Sequence, residues 1–318
     1  MGESEPSPIR IGISSCLLGT EVRFDGGHKR DAYICGTLSR YFTFVPVCPE
    51  VAVGLGTPRE PMRLVRHESG TRVNGVKTPS LDVTEPLGAY GRHIAQTRRF
   101  SGYIFKRASP SCGMFRVKVY KPTGELTGQG RGAYAEALLA EQPLLPAEEE
   151  GRLGDPGLRE NFIGRVFVYH RWQQLIEGGI TPRALVEFHS EHKFLVLAHN
   201  QAAYRRMGRL VAEAGSAPLG ELADQYVLEL MTALRRVASP KQHVNVLQHL
   251  FGFVSKALDA GDREEVVAAI EQYRQGWVPL VVPITLLNHH FRRHPNPYVA
   301  RQHYLHPHPR ELALRNLL

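Results

Sequence analysis

Three of the four cysteines follow apolar, strand-like runs. Cys16 follows Ile9–Ser14, Cys48 follows Phe42–Val47, and Cys112 sits in the polar loop after Gly102–Phe105. In open α/β sheets, ligands bind beyond the carboxyl ends of the strands. Parallel, neighbouring strands would bring the three thiols to one sheet edge. Three convergent thiols suit an iron–sulfur cluster with one open iron. They also suit a zinc ion with a fourth ligand such as His28, or a nucleophilic cysteine with a resolving partner. The intervals of 31 and 63 intervening residues match no short ligand motif, so spacing leaves all three open. Cys35 lies inside an expected helix, Asp31–Arg40, and reads as a small packing residue.

The neighbours of these thiols add chemistry. Ser14-Ser15-Cys16 and Ser109-Pro110-Ser111-Cys112-Gly113 surround sulfur with hydroxyls and loop amides, donors that stabilise thiolates and cluster sulfides. Glu50 stands two residues after Cys48 among Pro and apolar residues. It is a candidate general acid/base, or a helix-start carboxylate facing backbone amides. The Gly-rich Phe24–Lys29 suits a turn or a substrate contact through Asp25 and Lys29, and lacks P-loop spacing.

Positioning these groups requires alternating strands and helices. Besides the three runs above, Arg63–Arg66 and Arg72–Lys77 flank a hairpin signal at Glu68-Ser69-Gly70. Phe115–Tyr120 is another strand, and Thr84–Thr97 and Ala133–Ala140 read as helices. The pattern is that of an α/β domain with a parallel-rich sheet. Glu141–Asn161, rich in Pro, Gly and Glu, reads as a connector before a helix over Phe162–Glu177. After Gly179 every signal is helical, with one helix expected from Thr181 to about Ala212. The expected domains are 1–172 and an all-α 173–318.

The 318 residues carry a formal charge of +8, and 42% are hydrophobic, which excludes disorder as the main state. The charge is concentrated. Arg59–Lys121 holds 13 Lys and Arg against 4 Asp and Glu, more net charge than the whole chain. Such a window suits a polyanion, with Arg59, Lys106 and Arg107 as candidate phosphate contacts. No apolar run approaches the ~18–20 residues of a membrane helix. The first ten residues, polar and acidic, do not read as a signal peptide. The expected location is the cytoplasm, with no membrane and no obligate protein partner, and four cysteines are too few for a disulfide scaffold. Neither His189, His192 and His199 nor the C-terminal histidines form a zinc motif.

Three ordered motifs carry a resemblance. Ile13-Ser14-Ser15-Cys16-Leu17-Leu18-Gly19 comes with Arg23-Phe24-Asp25-Gly26. Pro46-Val47-Cys48-Pro49-Glu50-Val51 comes with Thr57-Pro58-Arg59, and Ser109-Pro110-Ser111-Cys112-Gly113 follows. Together they resemble the thiouracil desulfidase family over roughly Arg10–Trp172. The helical half resembles the domain fused to it in tRNA 4-thiouridine desulfidases. That resemblance implies a Rossmann-like domain holding a 4Fe–4S cluster through Cys16, Cys48 and Cys112, with one iron lacking a protein ligand. It implies Glu50 as acid/base, Ser109 as a positioning or proton-handling residue, and tRNA as the partner, gripped by the helical domain. The implied reaction is non-redox hydrolysis of 4-thiouridine in tRNA to uridine and sulfide. The alternatives are desulfidation of free thiolated pyrimidines, or RNA binding around a structural metal site. The sequence departs from the family at Val22, where many relatives carry a further Cys, and at Phe24, usually Tyr.

Overall fold

The computed structural model describes residues 8–316. Residues 1–7, the basis of the signal-peptide expectation, lie outside the described part. The chain divides into two compact units, Met1–Asp155 and Pro156–Leu318. The expected boundary after Trp172 therefore falls inside a helix that runs from Pro156 to Glu177. Pro156 and Gly157, connector-like in composition, open this helix.

The first unit contains, in order, β1 (Arg10–Ser14), α1 (Ala32–Gly36), β2 (Thr43–Val47), α2 (Pro49–Ala52), β3 (Met62–His67) and β4 (Gly70–Gly75). There follow α3 (Thr84–Thr97), β5 (Gly102–Phe105), β6 (Val117–Tyr120), β7 (Leu126–Gly130), α4 (Ala133–Glu141) and β8 (Ala147–Glu149). The strands form two sheets. One is wholly parallel, in the order β2-β1-β5-β8. The other, β4-β3-β6-β7, is mixed: β3 pairs antiparallel with β4 and parallel with β6, and β6 pairs antiparallel with β7.

The parallel sheet has a buried centre. Ile11, Ile13, Tyr103, Ile104 and Phe105 on β1 and β5 are fully buried, as strands covered on both faces must be. Gly12 allows the Tyr103 ring to cross β1, since a Cβ there would lie 2.4 Å from Cδ2 of Tyr103. Helices α3 and α4 meet at Gly91, where a Cβ would approach the Tyr134 carbonyl to 2.7 Å. In register, Ser14 lies beside Val47, and Ile13 beside Ile104. The carboxyl ends of β1, β2 and β5 therefore share one edge.

The second unit is helical: α5 (Pro156–Glu177), α6 (Pro182–His199), α7 (Gln201–Ala212), α8 (Leu219–Leu234), α9 (Pro240–Gly252), α10 (Ala260–Arg274), α11 (Val281–Arg293) and α12 (Pro297–Ala300). Thr181 caps α6 by accepting from the Ala184 N–H, ahead of Pro182 at the first turn. The single helix expected to Ala212 is broken at Asn200. The Asn200 backbone is extended, and its side chain accepts from the N–H groups of Ala202 and Ala203, starting α7. No described helix is long and apolar enough to cross a membrane.

Candidate active site

A cavity of about 370 Å³ opens at the carboxyl edge of the parallel sheet. Each cysteine reaches it by a different local device. Cys16 lies in a one-turn 3-10 helix, Ser15–Leu18, which Gly19 ends in the left-handed conformation at φ 98°. Cys48 is the N-cap of α2, with Pro49 in the first turn. Cys112 lies in the tight turn in which the Gly113 N–H donates to the Ser109 carbonyl at 2.8 Å. All three line the cavity, and Cys16 and Cys112 are buried.

Two catalytic candidates face them. The Glu50 side chain is 14% exposed, and its Oε2 accepts from the Cys48 thiol at 3.5 Å. Ser109 Oγ lies 3.4 Å from Glu50 Oε1. That hydroxyl also accepts from the N–H groups of Ser111 at 3.2 Å and Cys112 at 3.0 Å. Arg59 stands behind Glu50, with Nη2 4.0 Å from Oε2, while its Nη1 donates to the carbonyls of Val22 and Gly56 at 2.9 Å each. Arg59 thus holds the motif loops on either side of the carboxylate.

The remaining sequence candidates separate into two groups. Lys29, Lys106 and Arg107 line the cavity with Arg59. Lys106, however, is half-buried, with Nζ donating to Glu150 Oε1 at 2.5 Å. Glu150 Oε2 accepts from the Arg107 N–H at 2.7 Å. Asp25 does not line the cavity: it pairs with Arg23 at 3.3 Å and caps the Gly27 N–H. His28 is exposed and away from the cavity lining, so it is no partner for the thiols. Sequence reasoning missed Glu150, which anchors the Lys106–Arg107 segment from the end of β8. It also missed Arg23, a further cation in the lining.

Electrostatics favour neutral thiols. Burial, and then the Glu50 carboxylate, push Cys16 up to about 11 and Cys48 up to about 12. The same causes, in the same order, raise Cys112 well above the ordinary thiol range, against a hydrogen bond from Ser14. A thiol must ionise to act as a nucleophile, so this setting disfavours the nucleophilic-cysteine reading. Metal ligation differs, because a bound cation displaces the thiol proton. Among the described residues, no three His, Cys, Asp or Glu side chains are arranged to hold one metal ion. A cluster needs a wider arrangement, one thiolate on each of three irons. Three thiols lining one cavity, with a hydroxyl and loop amides beside them, are donors of that kind.

The family model of 2-thiouracil desulfurase matches residues 11–150. The chain is 34% identical over 111 residues to the uncharacterized protein YbbK of Bacillus subtilis strain 168, covering 32% of this chain and 71% of that protein. It is 33% identical over 153 residues to the uncharacterized protein YbgA of Escherichia coli strain K12, covering 48% of this chain and 90% of that protein. The chain belongs to the 2-thiouracil desulfurase family. All the cavity residues discussed above lie within the matched span, which ends at Glu150. The 2-thiouracil desulfurase unit is followed by a match over residues 193–309 to a protein family of unknown function, DUF1722. Among solved structures, the chain is similar to one titled 4Fe–4S-dependent thiouracil desulfidase TudS. The identity is 31%, covering 46% of this chain and 93% of that one, with a TM-score of 0.35.

Proposed function

We propose that this chain is a desulfidase of thiolated pyrimidines, with Cys16, Cys48 and Cys112 holding a 4Fe–4S cluster. The observation that carries this reading is the meeting of three thiols with Glu50 and Ser109 in one cavity. When bound, a cluster with one iron free of protein ligands supplies a Lewis acid for a thiocarbonyl sulfur. The rest falls to the chain's own residues. Hydrolysis converts C=S and water into C=O and hydrogen sulfide, with no net electron transfer. Glu50 is the group placed to take the proton of the attacking water. Its Oε2 accepts from the Cys48 S–H in the thiol form, and ionisation of Cys48 frees that oxygen for water. Ser109 Oγ, already accepting from two amides, directs its own proton toward Glu50 Oε1 and fixes the carboxylate. Val22, Phe24, Pro61 and Met62 give the cavity an apolar wall for a flat pyrimidine ring.

A finer reading, 4-thiouridine within tRNA, draws support from the exposed Lys29 and Arg107 in the cavity lining and from the basic window Arg59–Lys121. Cationic side chains there suit phosphates flanking an extruded nucleotide. The test uses anaerobically reconstituted full chain with 2-thiouracil, free 4-thiouridine and tRNA carrying 4-thiouridine. Sulfide and the matching oxo-pyrimidine are expected from at least one of them, and the relative kcat/KM identifies the natural form. Retention of sulfur by all three would reject the desulfidase reading. Turnover of the small molecules with none on tRNA would reject the tRNA reading alone.

A further inference from the structure

The first unit carries a further hollow, about 360 Å³, that shares no residue with the cysteine-lined cavity. Phe115 and Arg116 line it from the segment before β6, and Gln129 and Arg131 from the end of β7, with Arg152 beside them.

Three observations specify what it takes. The first is charge. The guanidinium groups of Arg116, Arg131 and Arg152 share the hollow, and no Asp or Glu is among its described lining. Arg152 is neutralised by Glu148 at 2.7 Å. Arg116 and Arg131 are exposed and have no ion-pair partner among the described residues.

The second is placement. Val117 pairs with Gly130 and Lys118 with Gln129, so Arg116 and Arg131 stand at the next facing positions. Like charges directly opposite on antiparallel segments repel. Arg116 also takes the left-handed backbone, φ 52°, which suits glycine and strains other residues. The chain tolerates repulsion and strain together to present a cation here.

The third is a stacking surface. Phe115 is exposed, and the Arg152 guanidinium lies 5.0 Å from the centre of its ring. Lys118, exposed and opposite Gln129, adds a cation along β6. Aromatic and arginine planes interleaved with cations take single-stranded nucleic acid by base stacking and phosphate contact. The hollow is also tied to the candidate active site. Cys112 lies four residues before Arg116, and the Gly132 N–H, beside Arg131, donates to the Gly113 carbonyl at 2.8 Å.

We propose that this hollow grips the RNA backbone flanking the target nucleotide. Arg116, Lys118 and Arg131 contact phosphates, and a neighbouring base stacks on the Phe115–Arg152 pair. This role rests on the reading of tRNA as the substrate, and a free pyrimidine is too small to make the contact.

The test is binding of tRNA carrying 4-thiouridine to the full reconstituted chain across a salt series, read by fluorescence anisotropy, beside turnover of free 4-thiouridine. Arg116→Gly suits the left-handed backbone, so it removes the cation while retaining a thermal midpoint at or above that of the parent. Arg116→Gly and Arg131→Gln are each expected to lower the slope of log affinity against log salt by about 1. Together they should weaken tRNA binding by about tenfold. Phe115→Ala should weaken it by about tenfold with the slope unchanged. Turnover of free 4-thiouridine should match that of the parent in all three. Unchanged affinity and slope in both arginine variants, with the parent binding tRNA, would overturn the proposal and leave the tRNA reading standing. Equal losses on tRNA and on free 4-thiouridine would also overturn it, because they place the effect in the cysteine-lined cavity. A parent that desulfurates free pyrimidines and does not bind tRNA would reject the tRNA reading, and this role with it.

Discussion

Ser109 Oγ lies 3.4 Å from Glu50 Oε1, although 59 residues separate them in the chain. The same oxygen accepts from the N–H groups of Ser111 and Cys112, so its lone pairs are committed and its proton faces the carboxylate. One hydroxyl therefore couples the Cys112 turn to the acid/base candidate.

Ser109→Ala removes that coupling and leaves the three thiols in place. A hydrogen bond to a charged group contributes ~1.5–3 kcal/mol. The expected result is a fall in kcat of roughly 10–100-fold, with iron content unchanged. Iron analysis beside steady-state sulfide release checks it, and unchanged kcat would remove Ser109 from the mechanism.

Glu50→Gln keeps the size of the side chain and abolishes its ability to take a proton. General-base catalysis is worth roughly 10²–10⁴-fold, and a loss of that order is expected with the iron–sulfur absorbance intact. A variant that turns over normally would favour a structural metal site.

Glu150 holds the segment after β5 through Lys106 Nζ and the Arg107 N–H. Its side chain is 11% exposed and that of Lys106 20%, so removing one partner strands the other. Glu150→Ala is expected to cost about 2 kcal/mol and to lower the melting temperature by roughly 5 °C. Differential scanning calorimetry reads this directly.

The helical unit should be acid-sensitive. Burial is the largest cause pushing His189, His199, His303 and His308 down to about 4 from an ordinary value of 6.5. The unfolded chain therefore binds protons that the folded chain refuses as pH falls below 6.5. Stability is complete above that pH and is lost on the way to about 4. Each imidazole adds a slope of at most about 1.4 kcal/mol per pH unit. Urea midpoints, followed by circular dichroism from pH 7 to 4, should fall steeply across that window. A flat profile would contradict the buried, neutral state of these rings.

Much of this architecture is legible in the sequence because the cysteines stand at strand ends. Apolar runs marked β1, β2 and β5, and their parallel pairing puts Cys16, Cys48 and Cys112 on one edge. Local signals also give α3 over Thr84–Thr97 and the β3–β4 hairpin.

Other features depend on partners distant in sequence. Strand β8 reads as connector because two of its three residues are glutamates. Glu149 is buried only because Met114 and Phe115 donate their N–H groups to it, and Glu148 because Arg152 pairs with it. The reading of Lys106 as a phosphate contact likewise could not anticipate Glu150, 44 residues away. Asn200 has the composition of a helix-surface residue, and only its extended backbone reveals the break between α6 and α7. A cavity within the helical unit is assembled from several helices and the C-terminal segment, a combination with no local periodicity.

The most direct measurement is iron and acid-labile sulfide per chain after anaerobic reconstitution, for the parent and four single Cys→Ser variants. About four irons and four sulfides are expected for the parent and for Cys35→Ser. Loss of the cluster is expected for Cys16→Ser, Cys48→Ser and Cys112→Ser. One metal ion per chain, or loading that survives in all three of those variants, would contradict a cluster held at the sheet edge.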